Sequence, residues 1–252
     1  MPRKNLLHYR YNKYSQNGED GIIEELCRRL DITKGWFVEF GAWDGKHLSN
    51  SYRLLSEWGW SGVDIEADPD RYRDLLTTRA AFPDRLHTIC AFVGFEGENT
   101  LDNLLARTPL PRDFDLLSID IDSYDWQVWK SLANYHPRIV IIEGNSLLSP
   151  GVYKLHDPPD CFGASFSALL DLGTSKGYRL VCHTGNCFFV LNELVPKLEL
   201  DALGLASPDR LFNYPKQFRE RLLAAGRKVF PARFMALVYR ASHRWKRLRR
   251  RR

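Results

Sequence analysis

Short apolar runs alternate along this chain with segments of helical spacing, a pattern that predicts strands joined by helices. The predicted strands lie at residues 36–40, 61–66, 86–91, 114–121 and 138–143. The predicted helices between them lie at residues 48–58, 69–78, 99–106 and 125–133. This alternation is typical of a largely parallel sheet with helices on its faces.

Two further patterns extend this sheet. Residues 18–30 carry an apolar stripe after an acidic first turn, which predicts a helix before the first strand. Residues 164–176 predict a last helix, and residues 178–182 and 187–191 predict a hairpin that turns at Thr184-Gly185-Asn186. The expected fold is therefore an α/β sheet of seven strands, mostly parallel, with a C-terminal antiparallel hairpin.

The first two strands carry the clearest chemical signal. Residues 36–45 end an apolar run in an acid and two glycines, and residues 62–69 end the next run in Glu66. This pattern is typical of a βαβ unit that binds a nucleoside. Gly41 would let the backbone approach the ligand closely, and Glu66 would accept hydrogen bonds from the two ribose hydroxyls.

The turn between these strands distinguishes among nucleoside cofactors. Dinucleotide enzymes place Gly-x-Gly-x-x-Gly here to hold a pyrophosphate, whereas this turn reads Gly-Ala-Trp-Asp-Gly at residues 41–45, with Glu39 just before it and Asp44 within it. Two carboxylates suit a cationic sulfonium with an amino-acid tail, as in S-adenosylmethionine. The turn residues expected to contact it are Gly41, Ala42 and Gly45, with Trp43 as a cover for its adenosine or methionine portion. The alternative is an ordinary strand end and turn.

Three segments resemble a known family. Residues 14–23, 37–46 and 118–122 look like FkbM-type and related class I S-adenosylmethionine-dependent methyltransferases, and the similarity runs from about Tyr14 to Asn192. The resemblance implies a Rossmann-like sheet, an S-adenosylmethionine cofactor and acceptors that bear hydroxyl groups, such as sugars and polyketides. It does not cover the C-terminal region.

Acidic residues follow the fourth predicted strand. Asp120 and Asp122 stand at i and i+2, Asp125 opens the next helix, and Asn145 follows the fifth strand. Such oxygen ligands suit Mg²⁺, so Asp120, Asp122 and Asn145 form a predicted metal site. The alternative is structural: Asp122 and Asp125 cap the following helix, and Asp120 contacts only the cofactor.

Methyl transfer to a hydroxyl requires a proton acceptor or a metal. Asp122 is the first candidate for this base, and His156, in the loop after the fifth strand, is the second. Gln16 and Glu19 belong to a polar hexad that predicts either a lid over the methionine end of the cofactor or a capped helix start. Ala91, at the end of the third strand, would contact the adenine through its backbone.

Composition bounds the class of protein. A chain of 252 residues with 44% hydrophobic content can bury one large core. The expected division is an N-terminal lid and helix segment (1–35), a cofactor-binding core (36–200) and a basic extension (201–252).

The polar start and the absence of an apolar run of roughly 18 residues predict a cytoplasmic protein. The five cysteines, without a Cys-x-x-Cys pair, indicate reduced thiols.

Charge sets the C-terminal segment apart. Residues 221–252 contain twelve Lys and Arg and no Asp or Glu, whereas the whole chain has a net charge of only +5. Apolar residues such as Phe234 and Trp245 are interleaved with these cations, which favours peripheral binding to an anionic membrane. The alternative is a solvated basic tail. No recognition motif for nucleic acid accompanies the tail.

These patterns leave three classes of function. The first is an O-methyltransferase that acts on a sugar, a glycan or a related small metabolite. The second is an RNA or protein methyltransferase that uses the basic tail, although the Asp/Asn-Pro-Pro-Tyr type of loop is absent after the fourth strand. The third is a noncatalytic S-adenosylmethionine-binding module.

We predict that deleting residues 227–252 abolishes binding to anionic liposomes and leaves affinity for S-adenosylmethionine nearly unchanged. The charges act at the surface and are screened within about 10 Å at 0.1 M salt, so binding should weaken as salt rises. Liposome co-sedimentation at low and high salt measures this. Equal binding by the full-length and shortened chains at low salt would contradict the membrane hypothesis.

Overall fold

The computed structural model describes residues 4–121, 123–157 and 163–213. Its strands are β1 (Trp36–Phe40), β2 (Ser61–Glu66), β3 (Leu86–Cys90), β4 (Leu116–Ile119), β5 (Ile139–Glu143), β6 (Tyr178–His183) and β7 (Asn186–Leu191). Within these residues they form one sheet in the order β3-β2-β1-β4-β5-β7-β6. The first five strands are parallel, and β7 runs antiparallel between β5 and β6.

Helices connect the strands as the periodicity predicts. They are α1 (Glu19–Arg29), α2 (Tyr52–Glu57), α3 (Pro69–Ala81), α4 (Leu101–Leu105), α5 (Asp125–Ser131), α6 (Phe166–Ser175) and α7 (Ala202–Ala206). Short 3₁₀ helices occur at Leu6–Tyr9, Gly97–Asn99, Asn192–Leu198 and Pro208–Leu211. Asp68 begins α3 by accepting the Asp70 N–H at 2.8 Å, and Pro69 follows at the first helical position.

Two predicted elements differ most from the observed ones. The strand expected at 114–121 is limited to Leu116–Ile119, and the helix expected at 48–58 begins only at Tyr52. In both cases the residues left out belong to loops that acidic side chains hold in place through hydrogen bonds. Apolar periodicity does not detect such loops, because they depend on contacts with distant residues.

The sheet separates two apolar cores. Val38, Phe40 and Ile65 belong to the core under α4, α5 and α6, whereas Phe37 and Leu116 belong to the core under α1 and α2. This division follows from the alternation of side chains along each strand. On the α1 side the Phe37 ring lies against Gly62, where a Cβ atom would come within 2.1 Å of the ring. Gly62 is therefore required by packing.

This topology is the Rossmann-like class I methyltransferase fold, which confirms the predicted fold class. The division at residues 35 and 200 stays a prediction, and the basic stretch 221–252 lies outside the described residues.

In the part of the chain that the structure describes, no helix is long and apolar enough to cross a membrane. Cys27, Cys182 and Cys187 are buried free thiols, Cys90 is an exposed one, and Cys161 lies outside the described residues.

Candidate active site

A cavity of about 280 Å³ opens where β1, β2, β3 and β4 end. Open α/β sheets bind their ligands at this carboxyl edge. Most of the residues predicted to bind the cofactor line the cavity: Gln16, Glu39, Gly41, Ala42, Glu66, Ala91 and Asp120. Glu19 and Gly45 are not part of its lining. Position alone does not test contact with a cofactor, so each of these roles stays a prediction.

Gly41 allows the turn after β1 to pass close to the end of β4. Its φ is +76°, and a Cβ atom at this position would lie 2.2 Å from the carbonyl oxygen of Asp120. Both facts require glycine, because any side chain would collide with backbone. The Gly41 N–H also donates to the Ile65 carbonyl at 3.0 Å, so the turn is held between β2 and β4.

Glu39 anchors the loop that follows this turn. Its carboxylate accepts four hydrogen bonds, from Ser49 Oγ (2.5 Å), Ser51 Oγ (2.6 Å), the Asn50 N–H (2.9 Å) and Ser118 Oγ (3.3 Å). A carboxylate offers about four lone-pair positions, so these donors use its capacity. The loop at residues 49–51 is thereby tied to β1 and β4, which explains why α2 starts late.

Glu66 can still accept hydrogen bonds from a ligand, whereas the acceptor positions of Glu39 are occupied by protein donors. One of its oxygens accepts the Trp43 N–H at 2.7 Å and the other accepts the Asp68 N–H at 2.8 Å. The side chain is only 5% exposed, and the exposed part faces the cavity that it lines. Each oxygen keeps a second lone pair. Glu66 can therefore accept two more hydrogen bonds, one on each oxygen, from a ligand diol.

A third acid, Asp64, lies beneath the loop. Asp64 pairs in register with Glu39 on the neighbouring strand, so the two side chains lie on the same face of the sheet. Asp64 is fully buried, and within the described residues its Oδ1 has no hydrogen-bond partner. Burial, and then the charges of Glu39 and Asp44, raise the pKa of Asp64 well above its usual value. Burial and these neighbouring charges thus favour the protonated form of Asp64.

The polar hexad near the N-terminus is folded around Asp20. One oxygen of Asp20 accepts the backbone N–H groups of Lys13, Tyr14 and Ser15, all within 2.9 Å, and the Ser15 hydroxyl at 2.6 Å. This turn carries Gln16 into the cavity lining. Asp20 was not among the predicted site residues, because its role depends on the turn around it.

Glu19 faces the hairpin. It is fully buried, and one of its oxygens accepts from Thr184 Oγ1 at 2.8 Å and Asn186 Nδ2 at 3.2 Å. The other oxygen accepts the Asn17 N–H at 2.5 Å. These contacts fasten the start of α1 to the β6–β7 turn. The N-cap of α1 is Gly18 and no side chain caps the helix, so the capped start expected for this hexad does not form. Contact of Glu19 with the cofactor stays a prediction.

The loop after β4 is held by Asp125. Its two oxygens accept the N–H groups of Ile121 and Ser123, each at 2.9 Å. Asp125 therefore holds the loop before α5 and does not cap the helix as the structural alternative expected, because the N-cap of α5 is Tyr124 and no side chain caps it. Asp120 lines the cavity, and Asp122 lies outside the described residues. Because β4 ends at Ile119, strand alternation does not determine where the Asp120 and Asp122 side chains point.

The described residues do not form the predicted magnesium site. Among residues 4–121, 123–157 and 163–213, no group of three or more His, Cys, Asp or Glu side chains could hold a metal ion. Asn145 is buried, and its Oδ1 accepts the Leu147 N–H at 3.2 Å. The described residues do not fit a metal on their own, and the site stays a prediction that depends on Asp122.

Two histidines lie at the same edge of the sheet in different environments. The His156 ring packs edge-on against Tyr124, with ring centroids 4.5 Å apart. His183 is fully buried, and burial lowers its pKa to about 3, so it is neutral near pH 7. Its Nδ1 accepts the Asn213 N–H at 2.9 Å, which leaves Nε2–H to donate to Ser146 Oγ at 3.1 Å. His183 is structural.

Several lining residues had no assigned role in the sequence. They include His47, Leu48, Ser49, Asn50, Arg71 and Phe92. Their common signal is position, since each follows the carboxyl end of a predicted strand or begins the next helix. The rule that ligands bind at this edge could have identified the segments, but it could not identify which side chains turn inward.

Comparisons with known proteins agree in class but are remote. No protein-family model matches this sequence, and no curated protein sequence matches it. Similar solved structures include an S-adenosylmethionine-dependent methyltransferase from Clostridium acetobutylicum, with 10% identity, 71% of this chain and 92% of that chain covered, and a TM-score of 0.46. An Aquifex aeolicus methyltransferase gives 13% identity, 66% and 86% coverage, and a TM-score of 0.40.

A third similar structure is TrmK of M. capricolum in complex with S-adenosylhomocysteine. It gives 10% identity and a TM-score of 0.39, with 66% of this chain covered. The chain spans 65% of the TrmK chain, just under two thirds. Likeness of this degree carries no argument about activity, which has to be argued from the cavity itself.

We predict that Asp64→Asn stabilises the protein at pH 7 to 8 more than at pH 4 to 5. The folded-state pKa of Asp64 is raised above its usual 3.8, so the folded state binds a proton that the unfolded state has released. Stability therefore falls by about 1.4 kcal/mol per pH unit between the two pKa values, and Asn removes this loss. Thermal unfolding across this pH range measures the effect, since about 1 kcal/mol shifts Tm by roughly 2 to 4 °C.

The matched control is Asp84→Asn, which changes an exposed carboxylate in the same half of the sheet. Its Tm difference from the wild type should vary little with pH. A Tm difference for Asp64→Asn that stays constant from pH 4.5 to 8 would show that Asp64 ionises normally in the folded protein.

Proposed function

We propose that this chain is an S-adenosylmethionine-dependent methyltransferase that methylates a hydroxyl group of a sugar, a glycan or a related small metabolite. The observation that carries the proposal is Glu66. A buried carboxylate with one spare acceptor position on each oxygen, at the end of β2, suits the two hydroxyls of a ribose. The bottom of the cavity is thus matched to a nucleoside.

The remaining lining supports a cationic ligand over a phosphorylated one. Glu39, Glu66 and Asp120 all line the cavity, and the turn at Gly41 is not a glycine-rich phosphate loop. We assign the ammonium group of the cofactor to Asp120, which lines the cavity after β4. Ala91 and Phe92, at the end of β3, are assigned to the adenine.

S-adenosylmethionine would supply an electrophilic methyl group on its sulfonium. The task of the protein is then to align an acceptor hydroxyl and to receive its proton. Asp122 is our first choice for the base, on the sequence alone, and His156 is the second. Tyr124 packs against the His156 ring and would restrict its orientation. Because the described residues do not form a metal site, we assign no step to magnesium.

Other assignments are kept as outcomes of experiment. Methylation of RNA or protein would use the basic stretch 221–252, and a noncatalytic module would bind the cofactor without turnover. Cytoplasmic location and peripheral membrane binding rest on the sequence. Turnover assays with glycan, small-molecule, RNA and protein acceptors separate these classes, because only one acceptor pool should gain the methyl group.

We predict that S-adenosylmethionine binds and that Glu66→Ala weakens its binding by at least about 10-fold, the loss expected from a single such hydrogen bond. A hydrogen bond to a charged group contributes roughly 1.5 to 3 kcal/mol, and Ala removes the acceptor of both ribose hydroxyls. Isothermal titration calorimetry measures the affinity, with Glu98→Ala as an exposed control. Unchanged affinity in a folded Glu66→Ala protein, or binding of NAD in place of S-adenosylmethionine, would remove the central claim.

A separate prediction concerns the metal. If Asp120, Asp122 and Asn145 hold Mg²⁺, EDTA abolishes turnover and added Mg²⁺ restores it. Radiolabelled methyl transfer with and without chelator measures this, and cofactor affinity should not change. Turnover that persists in EDTA while Asp122→Asn is inactive would exclude the metal and make Asp122 the direct base.

A further inference from the structure

The loop after β1 holds two residues in a strained backbone conformation. Among the described residues, the non-glycine positions with positive φ are Asp31, Trp43, Leu48 and Glu199. Asp31 directly follows the end of α1, and Glu199 ends the 3₁₀ helix at Asn192–Leu198, where left-handed residues are common. Trp43 and Leu48 have no such explanation, and both line the cavity. Strain of this kind is concentrated at ligand clamps and active sites.

A specific contact holds Trp43 in this conformation. Its φ is +53°, and its N–H donates to Glu66 Oε2 at 2.7 Å. The carboxylate that we assign to the ribose therefore also positions the Trp43 backbone. The indole and the ribose acceptor are thus linked through one carboxylate, with the indole at the wall of the same cavity.

Arg71 packs on the indole. Its guanidinium carbon lies 5.3 Å from the centre of the Trp43 ring, within the range of a cation–π contact. Arg71 lies in the first turn of α3, where the helix dipole disfavours a cation. Among the described residues no ion pair with Arg71 compensates for this placement. The cation–π contact with Trp43 is the favourable interaction that the Arg71 side chain makes at this position.

A second neighbour of the indole is His47. The two rings meet at 62° with centroids 5.6 Å apart, and His47 also lines the cavity. Trp43 therefore contacts both a cation from α3 and an imidazole from its own loop. This arrangement supports a large flat side chain beside Glu66 without burying it, since Trp43 is partly exposed.

We propose that Trp43, braced by Arg71, is the cover of the nucleoside half of the ligand and controls how fast the ligand dissociates. This inference rests on the proposed function and adds which half of the ligand Trp43 contacts and which residue supports it. Stacking on an aromatic ring depends on the base and the sugar and not on the methionine tail. S-adenosylmethionine, S-adenosylhomocysteine and 5′-methylthioadenosine should all depend on Trp43 to a similar degree.

The test compares these three ligands on two variants. Trp43→Gly removes the indole, keeps the N–H that donates to Glu66 and tolerates a φ of +53°. We expect it to weaken all three ligands by about 5- to 100-fold, the range measured for base–aromatic stacking, mainly through faster dissociation. Its Tm should equal or exceed that of the wild type, because the strain is relieved. Arg71→Gln should weaken the ligands by a smaller factor, and the control Arg73→Gln, on the same helix but outside the cavity lining, should not.

Calorimetry and stopped-flow dissociation of the three ligands distinguish the outcomes. If the wild type binds all three and Trp43→Gly binds them within twofold of it, the cover is overturned while the proposed function stands. If only the two ligands with a methionine tail are weakened, the indole covers the tail and the assignment to the nucleoside is wrong. If the wild type binds none of the three, both proposals fail together.

Discussion

The carboxylate of Glu39 is the interaction on which the ligand cavity depends. It comes from the middle of the sheet, and its four donors come from the loop that follows β1 and from β4. Together with the bond from the Trp43 N–H to Glu66, these bonds hold residues 43–51 over the strand ends. The late start of α2, the position of Ser49 and Asn50 in the cavity lining, and the turn that strains Trp43 all belong to this folded-back loop.

Glu39, Asp64 and Glu66 lie at neighbouring positions on β1 and β2. All three carry a carboxyl group, but their surroundings give each a different role. Glu39 has four protein donors, Glu66 has two and Asp64 has none within the described residues. The number of donors decides which acid is used up structurally, which can still receive a ligand and which favours its protonated form. Two charged carboxylates directly opposite each other on β1 and β2 would repel. The pKa of Asp64 is raised first by burial and then by this repulsion from Glu39.

Sequence reasoning succeeded where the physics is local. Strand alternation and the glycine at position 41 predicted the sheet, its order of elements and the edge where the cavity lies. The sequence was less informative about Glu19. A polar hexad before a helix does not show that Glu19 contacts a hairpin turn 165 residues away. The same holds for Asp20 and Asp125, whose partners are backbone N–H groups that only a folded turn presents. The end of β4 was misplaced because the apolar character of Ile121 continues beyond the ladder.

The bond between Glu19 and Thr184 has a consequence for how the protein is made. The residues that place Gln16 at the cavity precede the sheet in sequence, yet the helix beside them is fastened to the last hairpin of the sheet. Such a contact closes a long loop, so its entropic cost is met only after the intervening strands have paired. On a ribosome, the wall of the cavity that contains Gln16 is completed only after β7 has been synthesised. Partly made chains can therefore form the early strands before the start of α1 is fastened to the hairpin.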